Sequence, residues 1–431
     1  MNYQKSRAWI DSRRKFGVKP GLERIAALCG ELGNPQNNLR FIHVAGTNGK
    51  GSTCSMLASV LSCAGYKTGL YISPYVVDFL ERIQIDGRPI TKKRFASLAG
   101  AVAEKSALLD EKGLCATEFE LITAIAFTEF RDAGCDIVVL ETGLGGRFDA
   151  TNIIESALVN IITSISMDHC EVLGSTIEHI AFEKAGIIKP GSRTVCYAEM
   201  NKSALQVIKT TALKQGTLFI PDTADMLVLS ENLHGTTLRT GSLSVHVPFI
   251  GRHMALNALS VVEAAKLLRE DGFRLGNDVI AKGIGSTRMP ARMEIVSEHP
   301  LTVIDGGHNE EGAQALAQCI EKYMSGKKIT AVLAMMSDKD IDAYLAKAAP
   351  FFHRMIITRP RIDRAQNPAV LAAKAAAYCG DISVYATCAG AMRAAIHKAN
   401  GADDAVIVCG SFYLASEARA WLLKHQGNEA V

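Results

Sequence analysis

The stretch HVAGTNGKGSTCSML, His43 to Leu57, sets Gly46, Gly49 and Gly51 around a single lysine, Lys50, with the hydroxyls of Thr47, Ser52 and Thr53 close by. A backbone bare of Cβ atoms lets anionic oxygens approach its N–H groups, and the start of a helix adds the positive end of its dipole. An ammonium at Lys50 would bridge the outer phosphates of a nucleotide, and Ser52 or Thr53 could reach a Mg²⁺ ion. The match to G-x-x-x-x-G-K-[ST] is imperfect, because Val44 stands five residues before Gly49 and Gly51 separates Lys50 from Ser52. A tight turn would explain the glycines but not the lysine among them. Gly46, Thr47, Asn48, Gly49, Lys50, Gly51, Ser52 and Thr53 are therefore expected to form a phosphate loop.

Such a loop needs a strand before it and a helix after it. RFIHVAG reads as a buried strand and STCSMLASVLSCAG has helical periodicity. Further strands are expected at TGLYIS, CDIVVLET and LVNIITSIS, and helices at TKKRFASLAGAVAEKSALL and FELITAIAFTEFRDAG. The alternation implies βαβ units and a mainly parallel sheet. MLVLSENLHGTTLRTGSLSVHVPF alternates with period two and has turn residues at His234-Gly235 and Thr240-Gly241, which predicts antiparallel hairpins as an insertion or an edge. A helix from about His253 to Arg269 follows, and GIGSTRMPARMEIV then loses the apolar period. A domain boundary is placed there, giving an ATP-binding domain over 1–289 and a smaller Rossmann-like domain over 290–431, with strands at LTVIDGG, KITAVLAMM, RMIITRP, ISVYATC and AVIVCGS. The fold class is α/β, a phosphate-loop parallel-sheet domain joined to a second doubly wound one.

The 431 residues exceed what one core usually organises, and 48% hydrophobic against 21% charged residues is a globular balance. Forty-seven basic and 44 acidic residues leave a net charge of +3, too even for a nucleic-acid footprint. Eleven cysteines without a C-x-x-C pair argue against a disulfide framework or a zinc knuckle and for a reducing cytoplasm. The basic N-terminus has no apolar stretch of signal-peptide length, and no segment reaches the roughly 18 apolar residues of a span, so neither secretion nor a membrane is expected.

The loop order with its extra glycine resembles the ATP loop of the folylpolyglutamate synthase/dihydrofolate synthase branch of the Mur-type ligases. Four more stretches carry the resemblance: YISPYVVDFLERIQIDG (71–87), ETGLGGRFDATNII (141–154), SMDHCEVLGSTIEHIAFEKAGIIKPG (166–191) and DGGHNEEG (305–312). They run in family order. The resemblance implies an ATP-dependent ligase that activates a folate or dihydropteroate carboxylate as an acyl phosphate, joins it to L-glutamate, and releases ADP and phosphate. It implies ATP and Mg²⁺, with two metal sites, small-molecule partners only, and a monomer.

Residue by residue, the resemblance makes Ser73, Glu141 and His169 metal ligands. By themselves they read as a turn cap, a solvated strand end and an interior histidine. Lys184, otherwise a snorkelling lysine on a helix, matches a lysine that the family carbamylates with CO₂, and carbamylation needs the neutral amine that removal from water favours. Asn257 is expected near the adenine, Arg292 on the ATP phosphates, Asp305 on the ribose and His308 at the phosphate end, although Asp305 to His308 could be a plain β-turn. The second domain would then close over the nucleotide about a hinge at Met289 to Arg292 and exclude water. Thr117, Phe119, Arg147 and Asp149 match acceptor-binding positions, with core packing an equal reading for Phe119. Lys50, Lys184 and His308 are the expected catalytic groups. Departures from the family pattern stand at Tyr75 (histidine in many members), Met254 (glutamine) and Ala291 (glycine). A muramoyl-peptide ligase shares the loop but not the extra Gly51 or the LGGRFDATN loop. A GTPase-type switch would carry Asn-Lys-x-Asp, and Asn201-Lys202-Ser203-Ala204 lacks the aspartate. The acceptor, its one-carbon form and the tail length are left open by the sequence.

Overall fold

The computed structural model describes residues 1–17 and 19–426. The chain divides into two compact α/β units. The first holds residues 1–227, 238–246 and 255–287, and the second 228–237, 247–254 and 288–431. A single cut near Met289 therefore does not describe the division, because two short segments before it belong to the second unit. Their side chains explain this: Ile250 is part of the second unit's core and Leu233 packs against it.

The first unit is built on an eight-stranded sheet. Its strands in chain order are β1 (Phe41–Ala45), β2 (Thr68–Tyr71), β3 (Ile83–Ile85), β4 (Arg88–Pro89), β5 (Ile137–Glu141), β6 (Val159–Ile162), β7 (Ser192–Cys196) and β8 (Gly216–Phe219). Their order across the sheet is β4-β3-β2-β5-β1-β6-β7-β8. Six run parallel, and β3 and β4 form an antiparallel edge. Every residue of β1, β2, β5 and β6 is buried, as expected of strands covered by helices on both faces. The helices Lys92–Asp110 and Glu118–Ala133 lie where the apolar period placed them, and Phe95, Val102, Phe127 and Phe130 bury completely in the core beside β1 and β5. The chain leaves β1 for β2 on one side, and β5 connects back across β1 to β6 on the other. β1 is thus a topological switch point, where ligands bind outside the carboxyl ends of parallel strands.

Three short strands follow: β9 (Met226–Asn232), β10 (Gly235–Thr240) and β11 (Leu243–Val247), in the order β11-β10-β9. They are the hairpins read from the alternation, and the helix after them spans Arg252–Glu270.

The second unit carries a six-stranded sheet of β12 (Glu294–Glu298), β13 (Leu301–Ile304), β14 (Lys328–Leu333), β15 (Arg354–Ile357), β16 (Ile382–Val384) and β17 (Asp404–Cys409). Its order is β12-β13-β17-β14-β15-β16, parallel except for β12. β17 inserts between β13 and β14, which makes a second switch point at their carboxyl ends. β12 lies in the stretch expected to be irregular. It is an antiparallel edge strand with four partly buried residues and an exposed Glu298, so it lacks the apolar run that marks the others.

Candidate functional site

The phosphate loop, Ser73, Glu141 and His169 lie at or just beyond the carboxyl ends of β1, β2, β5 and β6. The phosphate loop follows β1 and turns into the helix Lys50–Cys63. Gly46 and Gly49 are left-handed at φ 150° and 84°, conformations that other L-residues adopt only at a cost. Crowding adds a second constraint: a Cβ on Gly46 would lie 1.7 Å from Thr163 Oγ1, and one on Gly49 2.7 Å from the Asn257 amide. Asn257 is 2% exposed and rests on the loop at Gly49. The first bond of the helix runs from Thr53 N to Gly49 O at 2.9 Å, so the amides of Lys50, Gly51 and Ser52 form its open N-terminal turn. Thr53 Oγ1 is buried without a partner. Lys50 folds back over its own loop, its Nζ donating to the carbonyls of Gly46 and Thr47 at 3.1 Å each.

Segment 163–169 after β6 holds the loop from the other side. Thr47 N donates to Ser164 O at 2.7 Å, Thr47 Oγ1 donates to Ser166 O, and Ser166 N donates to Thr47 Oγ1. His169 caps a short helix, Cys170–Leu173, from the left-handed region at φ 51°. Its ring is 41% exposed and Nε2 stands 3.9 Å from Asp168 Oδ2. Lys184 is buried on the helix Ile177–Ala185, and its Nζ donates to Gly46 O at 2.6 Å. A residue 138 positions away in sequence therefore grips the phosphate loop directly.

Glu141 is the last residue of β5, 2% exposed, and its Oε2 accepts the Ser73 N–H at 2.8 Å. Two of the three expected metal ligands are thus adjacent, joined through the Ser73 backbone rather than its hydroxyl. Its charge reaches the loop helix: burial raises the pKa of Cys54 well above the usual range, Glu141 raises it further, and Lys50 opposes them. A buried carboxylate oxygen fits a hard cation. Among the described residues, no cluster of three His, Cys, Asp or Glu side chains could hold a metal by itself. That donor set suits Mg²⁺, which typically takes one or two carboxylates and completes its shell with water and substrate phosphates.

The acceptor-side residues follow Glu141. Phe119 lies on Gly143, where an added Cβ would stand 2.4 Å from its Cζ, and its ring centroid is 5.9 Å from that of Tyr71. Thr117 caps the helix Glu118–Ala133 in a capping box with Glu120. Asp149 does not offer an open carboxylate. Oδ2 accepts from Gly143 N and Leu144 N, Oδ1 accepts from Thr151 N and Oγ1, and burial lifts its pKa while those bonds lower it. Arg147 pairs with Glu183 at 2.7 Å and lies 4.4 Å and 5.0 Å from the ring centroids of Phe148 and Phe182. Tyr75 packs edge-on against Phe79 at 5.6 Å.

In the second unit, Asp305 and His308 follow β13. Asp305 accepts from Met293 N at 3.2 Å and Gly307 N at 2.8 Å, and His308 Nδ1 is 3.1 Å from Gly306 O. Phe412, just past β17, was not singled out by the sequence, yet it touches all three neighbours. The Arg292 guanidinium sits 4.3 Å from its ring centroid, His308 meets it edge-on at 5.7 Å, and it lies on Gly306. An aromatic directly after the AVIVCGS strand was the available signal. Ala291 adopts φ 56°, a left-handed position that glycine, the residue expected there from the family pattern, occupies without strain. Met254 is buried.

Two family models match the chain, the Mur ligase middle domain over residues 44–265 and the Mur ligase, glutamate ligase domain over residues 291–412. The dihydrofolate synthase/folylpolyglutamate synthase of Bacillus subtilis is 38% identical, over 81% of this chain and 84% of that protein. The folylpolyglutamate synthase of Lacticaseibacillus casei is 34% identical over 98% and 99%. Among solved structures, Mycobacterium tuberculosis folylpolyglutamate synthase complexed with ADP and AMPPCP superposes with a TM-score of 0.89 at 30% identity, covering 98% of this chain and 99% of that one. Escherichia coli FolC in complex with DHPP and ADP gives 0.85 at 29% identity, with 98% of both chains covered.

Proposed function

From the premise that the chain belongs to the folylpolyglutamate synthase/dihydrofolate synthase family of Mur-type ligases, we propose how its residues divide the work of joining L-glutamate to a folate carboxylate with ATP. The protein is an ATP-dependent ligase. The carboxylate and the triphosphate repel each other, so the site must first offset that charge. Lys50 does so by exchanging its two loop carbonyls for phosphate oxygens, while the amides of the helix start hold the rest of the triphosphate. Glu141, with Ser73 and His169, would hold Mg²⁺, which withdraws charge from the phosphoryl group when bound. An acceptor carboxylate oxygen attacks the γ-phosphorus, the bond to ADP breaks, and an acyl phosphate forms. The glutamate amine then attacks the acyl carbon, phosphate leaves with the electron pair, and the amine gives up a proton.

Lys184 is proposed as the carbamylated lysine. Adding CO₂ to its neutral amine forms an N–C bond, releases one proton and leaves one N–H, enough to keep the bond to Gly46 O. Thr117, Phe119, Arg147 and Asp149 form the acceptor side, with Asp149 shaping the loop through its four backbone and hydroxyl donors. In the second unit, Arg292, Asp305 and His308 are assigned to nucleotide and phosphate, arranged on Phe412 and the carboxyl end of β13. The protein is read as a cytosolic monomer with small-molecule partners. Among the described residues no helix is long and apolar enough to cross a membrane.

The observation that carries this reading is the convergence at one sheet edge: Lys184 on the loop carbonyl of Gly46, and Ser73 on Glu141. The test is phosphate release from ATP with L-glutamate, comparing dihydropteroate with a reduced folate. One or both should raise turnover. If neither does and a muramoyl peptide does, the assignment to folate fails.

A further inference from the structure

The parallel register sets His43 of β1 opposite Asn160 of β6, and Asn160 opposite Thr194 of β7. Register partners project to the same face, one strand spacing apart. The three side chains form a row through the interior, none more than 1% exposed. His43 Nδ1, both amide atoms of Asn160 and Thr194 Oγ1 have no hydrogen-bond partner in the protein. Native interiors leave few such atoms orphaned, and where several polar atoms cluster, ordered water bridges them.

The other end of the row is tied to the candidate site. His43 Nε2 lies 2.8 Å from Thr151 Oγ1. Thr151 spends its own proton on Asp149 Oδ1 at 2.6 Å, so it must accept from Nε2. That assigns the proton to Nε2 and leaves Nδ1 as an acceptor facing the row. Burial, and then the Lys189 charge, lower the pKa of His43 to about 3, so the ring is neutral at physiological pH. Asp149 Oδ2 in turn binds the amides of Gly143 and Leu144, two and three residues beyond Glu141.

We propose that the His43–Asn160–Thr194 row is a binding site for buried water, and that His43, held by it as the Nε2–H tautomer, is a positioning residue that acts through Thr151 and Asp149 to fix the loop after Glu141. The positioning role rests on the reading of Glu141 given above. The water supplies a donor to Nδ1 and shares its other bonds with Asn160 and Thr194.

Nitrogen-15 NMR of histidine-labelled protein should show a neutral ring with the proton on Nε2, assigned to His43 by its loss in His43→Gln. An Nδ1–H ring or an imidazolium at neutral pH overturns the proposal. A high-resolution map should show ordered water in reach of Nδ1 and Asn160, and a dry row overturns it. In kinetics, His43→Leu should lower kcat about ten- to hundredfold, the usual effect of losing a partner behind a metal-site loop. His43→Gln, whose amide N–H reaches the same place as Nε2–H, should stay within about threefold of native. Purely structural damage would instead lower the melting temperature in both variants without selective rescue of kcat, and that result, or a His43→Leu turnover within about twofold of native, refutes the positioning role. If the native protein ligates no folate, the function is misread, while the nitrogen signature still decides the tautomer.

Discussion

Gly46→Ala tests whether the phosphate loop is held as tightly as its surroundings imply. The new Cβ would stand 1.7 Å from Thr163 Oγ1 and 2.9 Å from Thr163 Cβ, at φ 150°. Thr163 cannot swing away, because it is fully buried, β-branched and bonded through N and Oγ1 to Ala45 O at 2.8 Å and 3.3 Å. The backbone strain costs about 1–3 kcal/mol. Overpacking adds about 1–3 kcal/mol. If the loop relaxes by leaving its nucleotide-ready shape, about 3 kcal/mol must be restored on binding, a loss of about a hundredfold in affinity. Calorimetric titration with ADP measures this directly. Adding Thr163→Ala removes Oγ1 but neither the Cβ nor the strain, so about tenfold should return and the two substitutions should couple in a double-mutant cycle. An ADP affinity within about threefold of native in Gly46→Ala, or no coupling to Thr163, would refute the argument.

Other expectations follow from the same geometry. Carbon-13 NMR in labelled bicarbonate should show a carbamate resonance that Lys184→Ala removes, and a native spectrum without one defeats that assignment. Chelation with EDTA should stop turnover yet leave the nucleotide-free melting temperature unchanged, since among the described residues no three acidic or imidazole ligands gather; a large drop would reveal a structural ion. Ala291→Gly should relieve about 1–2 kcal/mol of left-handed strain. The gain is offset by about 0.4–1 kcal/mol of unfolded-chain entropy, so urea unfolding should show about 1 kcal/mol of stabilisation, and a loss would contradict it. Arg24→Met strips a 3.0 Å partner from Glu120, both nearly buried, and should cost about 3–5 kcal/mol by denaturant unfolding, a figure that an exposed pair would not reach.

The chemistry nearest in sequence was the most legible. The glycines and Lys50 fall within a few residues, so spacing alone placed them in a strand-to-helix turn, and all-buried strands announced themselves as apolar runs. What could not be read was pairing across distance. Nothing in the order of residues places Lys184 on Gly46, Asn257 on Gly49 or Arg24 on Glu120. β12 escaped because half-exposed edge residues carry no apolar run, and β7 and β8 because few of their residues are large and apolar. The resemblance implied Ser73, Glu141 and His169 as metal ligands, but not that Ser73 engages Glu141 through its backbone N–H.

Asp149 spends both oxygens on its own chain, accepting four donors that lie within six residues of it. A side chain so occupied has no lone pair to lend an arriving guest. On the proposed acceptor side, polar discrimination then falls to Arg147, whose side chain is 42% exposed, and the rest to contour around Phe119, which separates similar molecules by only about 1–3 kcal/mol. A carboxylate committed to its own loop in this way acts as scaffold, so that the loop keeps one shape whichever acceptor of a series lies against it.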